Sequence, residues 1–160
     1  MQASKQATAP HSMSPWLDAA RAAIVDIARQ ALGSTVVIGE PGAVPDGLSG
    51  ALIPIVSKLD PVQIGLFSTD EGCEGLARAL LGSSPGEKVT RPEVVDALGE
   101  IVNMFSGNVK ARVARYATHA ALGLPTFVHG PVEAQSSQVI DVLPVTIGDI
   151  KAYVLVMHFA

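Results

Sequence analysis

The sequence predicts an α+β fold, a largely antiparallel β-sheet packed with helices, one of them long. Three observations carry the prediction. Two pairs of segments, 51–57 with 62–68 and 138–147 with 150–159, read as hairpins rich in β-branched residues. No regular strand–helix–strand alternation runs along the chain, so nothing calls for a parallel sheet. Three further stretches space their apolar residues by three and four, the pattern of a helix that buries one face.

Taken in order, residues 1–13 are small and polar and read as a flexible tail, with residues 14–160 forming one domain. Ser14-Pro15 opens the first helix, with Ser14 suited to the N-cap and Pro15 to the first helical position. Leu17, Ala20, Ile24, Ile27, Ala28 and Ala31 give its stripe, Trp16 anchors its start in the core, and Gly33 ends it. Residues 35–38 read as a short strand. Residues 40–50, rich in Pro and Gly, read as a loop, either at an edge or facing a partner, or simply disordered. The first hairpin follows, its strands joined by residues 58–61. Pro54 within it implies an edge strand or a bulge.

Thr69-Asp70-Glu71 starts the second helix, which runs through Leu76 and Leu80 to Gly82 and carries acidic residues in its first turn, where the helix dipole favours them. Cys73 in that turn reads as a buried packing residue. After a Pro/Gly linker, Thr90-Arg91-Pro92-Glu93 has the form of a capping box. The long helix it opens is expected to reach about Tyr116. Val95, Leu98, Val102, Phe105 and Val109 form its apolar stripe, and Lys110, Arg112 and Arg115 suit its C-terminal end. Residues 120–124 read as a turn and 125–129 as a strand. The last hairpin turns at Gly148-Asp149, a favoured two-residue connection. Pro144 again implies an edge or a bulge.

Composition narrows the function. With 48% apolar and 16% charged residues, the chain has the make-up of a protein with a packed core. A formal charge of −4 without a basic run argues against nucleic-acid binding. The single cysteine cannot form an internal disulfide. None of the four histidines stands at metal-ligand spacing from another ligand, so no metal site of its own is expected. No apolar run approaches the ~18 residues that cross a membrane, and no apolar segment near the start resembles a signal peptide. The expectation is a cytoplasmic protein with no membrane contact.

The chemistry is expected on the long helix. Asp96, Glu100 and Asn103 stand at i, i+4 and i+7. At about 100° per residue they fall within roughly 60° of one another, away from the apolar stripe. They should form one polar ridge facing solvent. Met104 is expected on the outward side as a contact residue. Gly107 lies beside the ridge and leaves the backbone bare for a close approach. Gly in a helix interior costs about 1 kcal/mol relative to Ala, so Gly99 and Gly107 need a reason. Acids and amides also cover ordinary solvated helix faces, and inner glycines also serve core packing. The residue pattern by itself leaves both readings open. It does exclude a Gly-rich phosphate loop and a Ser or Cys nucleophile set beside a base.

The run Asp96-x-x-x-Glu100-x-x-Asn103-Met104-Phe105-Ser106-Gly107-Asn108-Val109-Lys110, with Pro125 following Asn103 by 22 positions, resembles the CheC/CheX/FliY family of chemotaxis phosphatases, and its CheX-like members most. One copy of the motif is present, where CheC-like members carry two. The resemblance implies the same α+β fold. It also implies a phosphatase acting on the aspartyl phosphate of a CheY-like response regulator in chemotaxis or another two-component system. Carried over, Asn103 would orient the attacking water and Glu100 would pair with the regulator's active-site Lys. Asp96 would support docking, with Met104 and Gly107 at the partner surface. No cofactor of its own is implied, since the Mg²⁺ sits on the regulator, and single-motif members pair into homodimers.

A second reading is a non-catalytic module that keeps the ridge only to bind or scaffold a regulator. The presence of both Glu100 and Asn103 favours the enzyme, since docking alone gives no reason for the amide.

Overall fold

A computed structural model of the chain describes residues 14–58 and 61–159. The expected tail, residues 1–13, lies outside the described residues, as do two residues of the first hairpin's loop. In chain order the elements are α1 (Pro15–Ala31), β1 (Val36–Ile38), β2 (Ser49–Val56), β3 (Val62–Ser68), α2 (Asp70–Leu81), α3 (Arg91–Arg112), β4 (Ala121–Leu122), β5 (Thr126–His129), β6 (Gln138–Ile147) and β7 (Ile150–Phe159).

Local chemistry fixes the helix ends. The Ser14 hydroxyl accepts from the Leu17 amide at 3.2 Å, and the Thr69 hydroxyl accepts from that of Gly72 at 3.0 Å. Gly33 (φ 60°) and Gly82 (φ 68°) adopt the left-handed conformation that stops α1 and α2. α3 ends at Arg112, one turn short of the Tyr116 expected. Beyond it the chain tightens, with the amides of Tyr116 and Ala117 both bonding to the Val113 carbonyl while Val113 and Ala117 stay buried.

The strands form one antiparallel sheet in the order β1-β6-β7-β3-β2-β4, with β5 also paired to β2. Both predicted hairpins form, and the last one places Ile147 opposite Ile150 across the Gly148-Asp149 turn. The α+β prediction therefore holds.

The two strand prolines occupy a different setting from the one expected. Neither strand is at an edge: β2 lies between β3 and the β4/β5 flank, and β6 lies between β7 and β1. The Pro54 carbonyl accepts from Gly123 at 2.8 Å and the Pro144 carbonyl accepts from Gly39 at 2.8 Å. In an extended strand the N and O of one residue point to the same flank, so each missing N–H faces a short or interrupted neighbour. Pro54 falls where β4 gives way to β5, and Pro144 where β1 ends.

The three helices cover one face of the sheet, where Ala51, Ile53, Ile64, Leu66, Val154 and Val156 meet Ile24, Leu76, Leu98 and Phe105. The opposite face carries a smaller cluster of Leu48, Phe67, Val142 and Leu155, with Val44 and Val132 from two loops against it. Of the loop expected over residues 40–50, the last two residues already belong to β2 and the rest is tied to the sheet, with Gly42 bridged to Val142. Trp16 is half-buried against the main core, as expected of an anchor. Within α3 the buried stripe is Val94, Leu98, Ile101, Val102, Phe105 and Val109. Val95, expected in that stripe, is only half-buried and faces sideways. Arg112 is not a free cation at the helix end, because it pairs with Asp26 of α1 and bonds Asn108 at 2.7 Å.

Candidate functional site

The site begins with a stiff helix start. Thr90 and Glu93 close a capping box: the Thr90 hydroxyl accepts from the Glu93 amide at 3.3 Å, and the Glu93 carboxylate accepts from the Thr90 amide at 3.3 Å. From there α3 projects Asp96, Glu100 and Asn103 into solvent along one line. All three are exposed, and among the described residues none has a hydrogen-bond or ion-pair partner. Two carboxylates and an amide without partners keep their full bonding capacity for another molecule.

The ridge is not a bare convex surface, as the sequence suggested. A trough of about 490 Å³ runs beside it. The helix supplies one wall with Val95, Asp96, Gly99, Glu100, Asn103 and Met104, and a distant stretch supplies the other with Leu124, Pro125 and Phe127. The two walls meet at Gly99, where a Cβ would stand 3.5 Å from Pro125 Cγ, an ordinary van der Waals contact. The Arg91 guanidinium at the start of α3 lies 5.3 Å from the centre of the Phe127 ring, a cation–π contact that ties the second wall to the helix.

Four of the five residues singled out from the sequence therefore meet at the trough. Met104 is half-buried and packed against the core rather than pointing outward, because the chain from Leu124 to Phe127 returns along its side of α3. Gly107 does not line the trough. It stands four residues beyond Asn103, and a Cβ there would meet nothing within 4 Å. Leu124, Phe127 and Arg91 were not anticipated. Phe127, the lone aromatic in a four-residue strand, was the available signal.

The second wall is held at its far end by a polar cluster. Ser49 in β2 faces His129 in β5 directly. The buried Ser49 hydroxyl donates to Asp70 Oδ1 at 3.0 Å and lies 2.5 Å from His129 Nδ1. Asp70 Oδ1 also lies 3.8 Å from His129 Nδ1, so acid and hydroxyl meet the same ring nitrogen. A nucleophile relay uses the two ring nitrogens separately, and this cluster instead ties β5 to β2 and the start of α2. Cys73 beneath it donates to the Ser49 carbonyl at 3.3 Å, and burial pushes its thiol up to about 11. At neutral pH it is a protonated packing group.

A larger cleft of about 770 Å³ lies between α2 and the β6–β7 turn, but none of the five candidate site residues, Asp96, Glu100, Asn103, Met104 and Gly107, lines it. Size alone gives it no chemistry, whereas the trough gathers an amide and two free carboxylates. Among the described residues no three His, Cys, Asp or Glu side chains cluster closely enough to hold a metal ion. No described helix is long and apolar enough to cross a membrane.

The family model described as chemotaxis phosphatase CheX matches residues 50–141, which include the whole of α3 and both walls of the trough. Among solved structures, a chemotaxis protein CheX from Desulfovibrio desulfuricans is 16% identical over 88% of this chain and 97% of its own, with a TM-score of 0.73. A CheC-like superfamily protein from Shewanella sp. PV-4 is 17% identical over 92% of this chain and 99% of its own, with a TM-score of 0.75. The CheX-CheY-BeF3-Mg+2 complex from Borrelia burgdorferi contains a chain 19% identical over 90% of this one and 94% of its own, with a TM-score of 0.69. At these identities the likeness shows the fold. No curated protein matches the chain.

Proposed function

Because the chain belongs to the CheX chemotaxis phosphatase family, we propose that it accelerates hydrolysis of the aspartyl phosphate of a phosphorylated CheY-like response regulator. The observation that carries this reading is the pair Glu100 and Asn103, exposed, without partners and side by side along one wall of the trough. The Borrelia complex joins a CheX to CheY with BeF3 and Mg²⁺, which supports a regulator as the partner.

The division of labour follows from the side chains. A helix surface cannot enclose a phosphoryl group, so the regulator must bring the aspartyl phosphate in its own pocket. The Asn103 amide can donate and accept at once, which suits holding a water in line with phosphorus. Glu100 offers a free carboxylate to the regulator's active-site Lys and fixes the docked geometry. Asp96, one turn earlier on the same line, adds a docking charge. Phosphoryl transfer depends mainly on positioning and on neutralising charge, so two well-placed side chains suffice. Charge neutralisation by Mg²⁺ belongs to the regulator, consistent with a ridge whose acids stand apart rather than as a ligand set. A homodimer and a cytoplasmic location complete the proposal, both resting on family membership.

The test is the decay of phosphate from a phosphorylated CheY-like regulator, alone and with wild type, Asn103→Ala or Glu100→Ala. Wild type should accelerate decay and each variant should lose about 10²-fold of that effect, the scale of lost positioning. A wild type that binds the regulator and leaves its decay unchanged would favour the scaffold reading and end the phosphatase one.

A further inference from the structure

Leu124 is 84% exposed, the most exposed large apolar side chain among the described residues. Its backbone cannot fold it away. On one side the Gly123 amide donates to the Pro54 carbonyl at 2.8 Å. Gly123 is pressed so closely on the Pro54 ring that an added Cβ would fall 2.4 Å from Pro54 Cγ. On the other side Pro125 rests against Gly99. A residue that precedes proline is itself confined to extended conformations. Leu124 is therefore held outward between two pinned neighbours.

Such a side chain is suited to binding. Burying a Leu side chain is favourable in proportion to the apolar area removed from water, and little of that gain is realised in the isolated chain. A partner that covers it gains the area with little further ordering of the backbone, which is how a preorganised contact adds affinity. Its position narrows the occupant. Leu124 forms the lip of the wall opposite Glu100 and Asn103, and Pro125 and Phe127 continue the apolar surface inward from it. A partner that covers the trough while reaching the ridge therefore also meets this lip.

We propose that Leu124 is the specificity-determining anchor of the site, packing against an apolar patch that borders the phosphoaspartyl pocket of the response regulator. The ridge sets the rate in the docked complex and Leu124 sets how readily the complex forms. The proposal rests on the phosphatase reading for the identity of the partner. It adds a requirement on that partner, which must carry an exposed apolar side chain beside its acidic pocket.

The experiment measures regulator dephosphorylation against phosphatase concentration for wild type, Leu124→Ser, Leu124→Met and, as a surface control remote from the trough, Leu81→Ser. Leu124→Ser should raise the half-saturating concentration by about tenfold, the equivalent of ~1.4 kcal/mol, with its maximal rate unchanged. Leu124→Met and Leu81→Ser should behave as wild type. A half-saturating concentration for Leu124→Ser within about twofold of wild type, on a tenfold scale of ~1.4 kcal/mol, overturns the anchor. If wild type accelerates nothing, the phosphatase reading fails by itself. Calorimetric binding to the beryllofluoride-loaded regulator then decides the anchor: weaker binding by Leu124→Ser upholds it, and equal binding, or none by wild type, overturns it.

Discussion

The ring of Pro125 lies against the bare backbone of Gly99, with Pro125 Cγ 3.5 Å from the point a Cβ would occupy. That separation is an ordinary van der Waals contact, so a methyl fits, and a bulky side chain crowds the Pro125 ring. Gly99→Ala should raise stability by up to about 1 kcal/mol through helix propensity and leave regulator dephosphorylation intact. Gly99→Leu should push the Leu124–Phe127 wall away and lower the dephosphorylation rate. Thermal melts and the decay assay, run on the same two variants, separate the effects.

Gly107 gives a sharper division between stability and function. Nothing lies within 4 Å of an added Cβ, so Gly107→Ala should stabilise the isolated chain by about 1 kcal/mol. If the regulator approaches this bare turn, the same substitution should weaken regulator binding. A more stable variant with unchanged affinity would remove Gly107 from the partner surface.

Ser106 is fully buried in α3 and its hydroxyl has no hydrogen-bond partner among the described residues. An unsatisfied buried polar group costs about 1–3 kcal/mol. Ser106→Ala removes the group at nearly constant volume and should be neutral or stabilising by about 1 kcal/mol, an asymmetry expected when the unmade bond disappears. Denaturant unfolding would show a raised midpoint at unchanged slope. A lowered midpoint would mean that the hydroxyl is satisfied in solution.

Cys73 makes stability depend on alkaline pH. Burial is the main cause that raises its thiol from 9.0 to about 11, with the nearby Asp70 carboxylate adding to it and a bond to the Ser68 backbone opposing it. The folded state therefore keeps the proton longer than the unfolded state. Its contribution is fully present below pH 9.0 and is lost as pH rises from there toward 11. Cys73→Ala should flatten this fall relative to wild type. The same burial predicts that a thiol reagent labels native protein at neutral pH only at the rate of opening, which a time course with and without denaturant measures.

Much of this architecture was legible because it is local. The Thr90/Glu93 capping box, the Gly148-Asp149 turn, the Gly82 helix stop and the Asp96–Glu100–Asn103 line each depend on a few neighbouring residues. What could not be read is what depends on distant pairing. Pro54 signals an edge, yet β2 is interior, because two short strands share its flank and leave their gap at the proline. Val95 and Met104 have helical spacing that fits either the core or the surface. Their half-buried state is set by Leu124–Phe127 arriving from another part of the chain. The ridge was visible as a motif, but the trough beside it was not.

The strand order also carries a consequence for how the chain comes into being. β7 lies between β6 and β3 near the middle of the sheet, yet it follows every other strand in sequence. While the chain is being synthesised, β3 can pair with β2 long before its other flank is covered. The closing of that flank, and with it the docking of β6 and β1, must wait for the residues from Ile150 onward to leave the ribosome. A nascent chain halted at the Gly148-Asp149 turn would expose the unpaired backbone edge of β3 to any passing strand. The final ten-residue strand therefore acts as the keystone, converting a set of local pieces into one cooperative sheet.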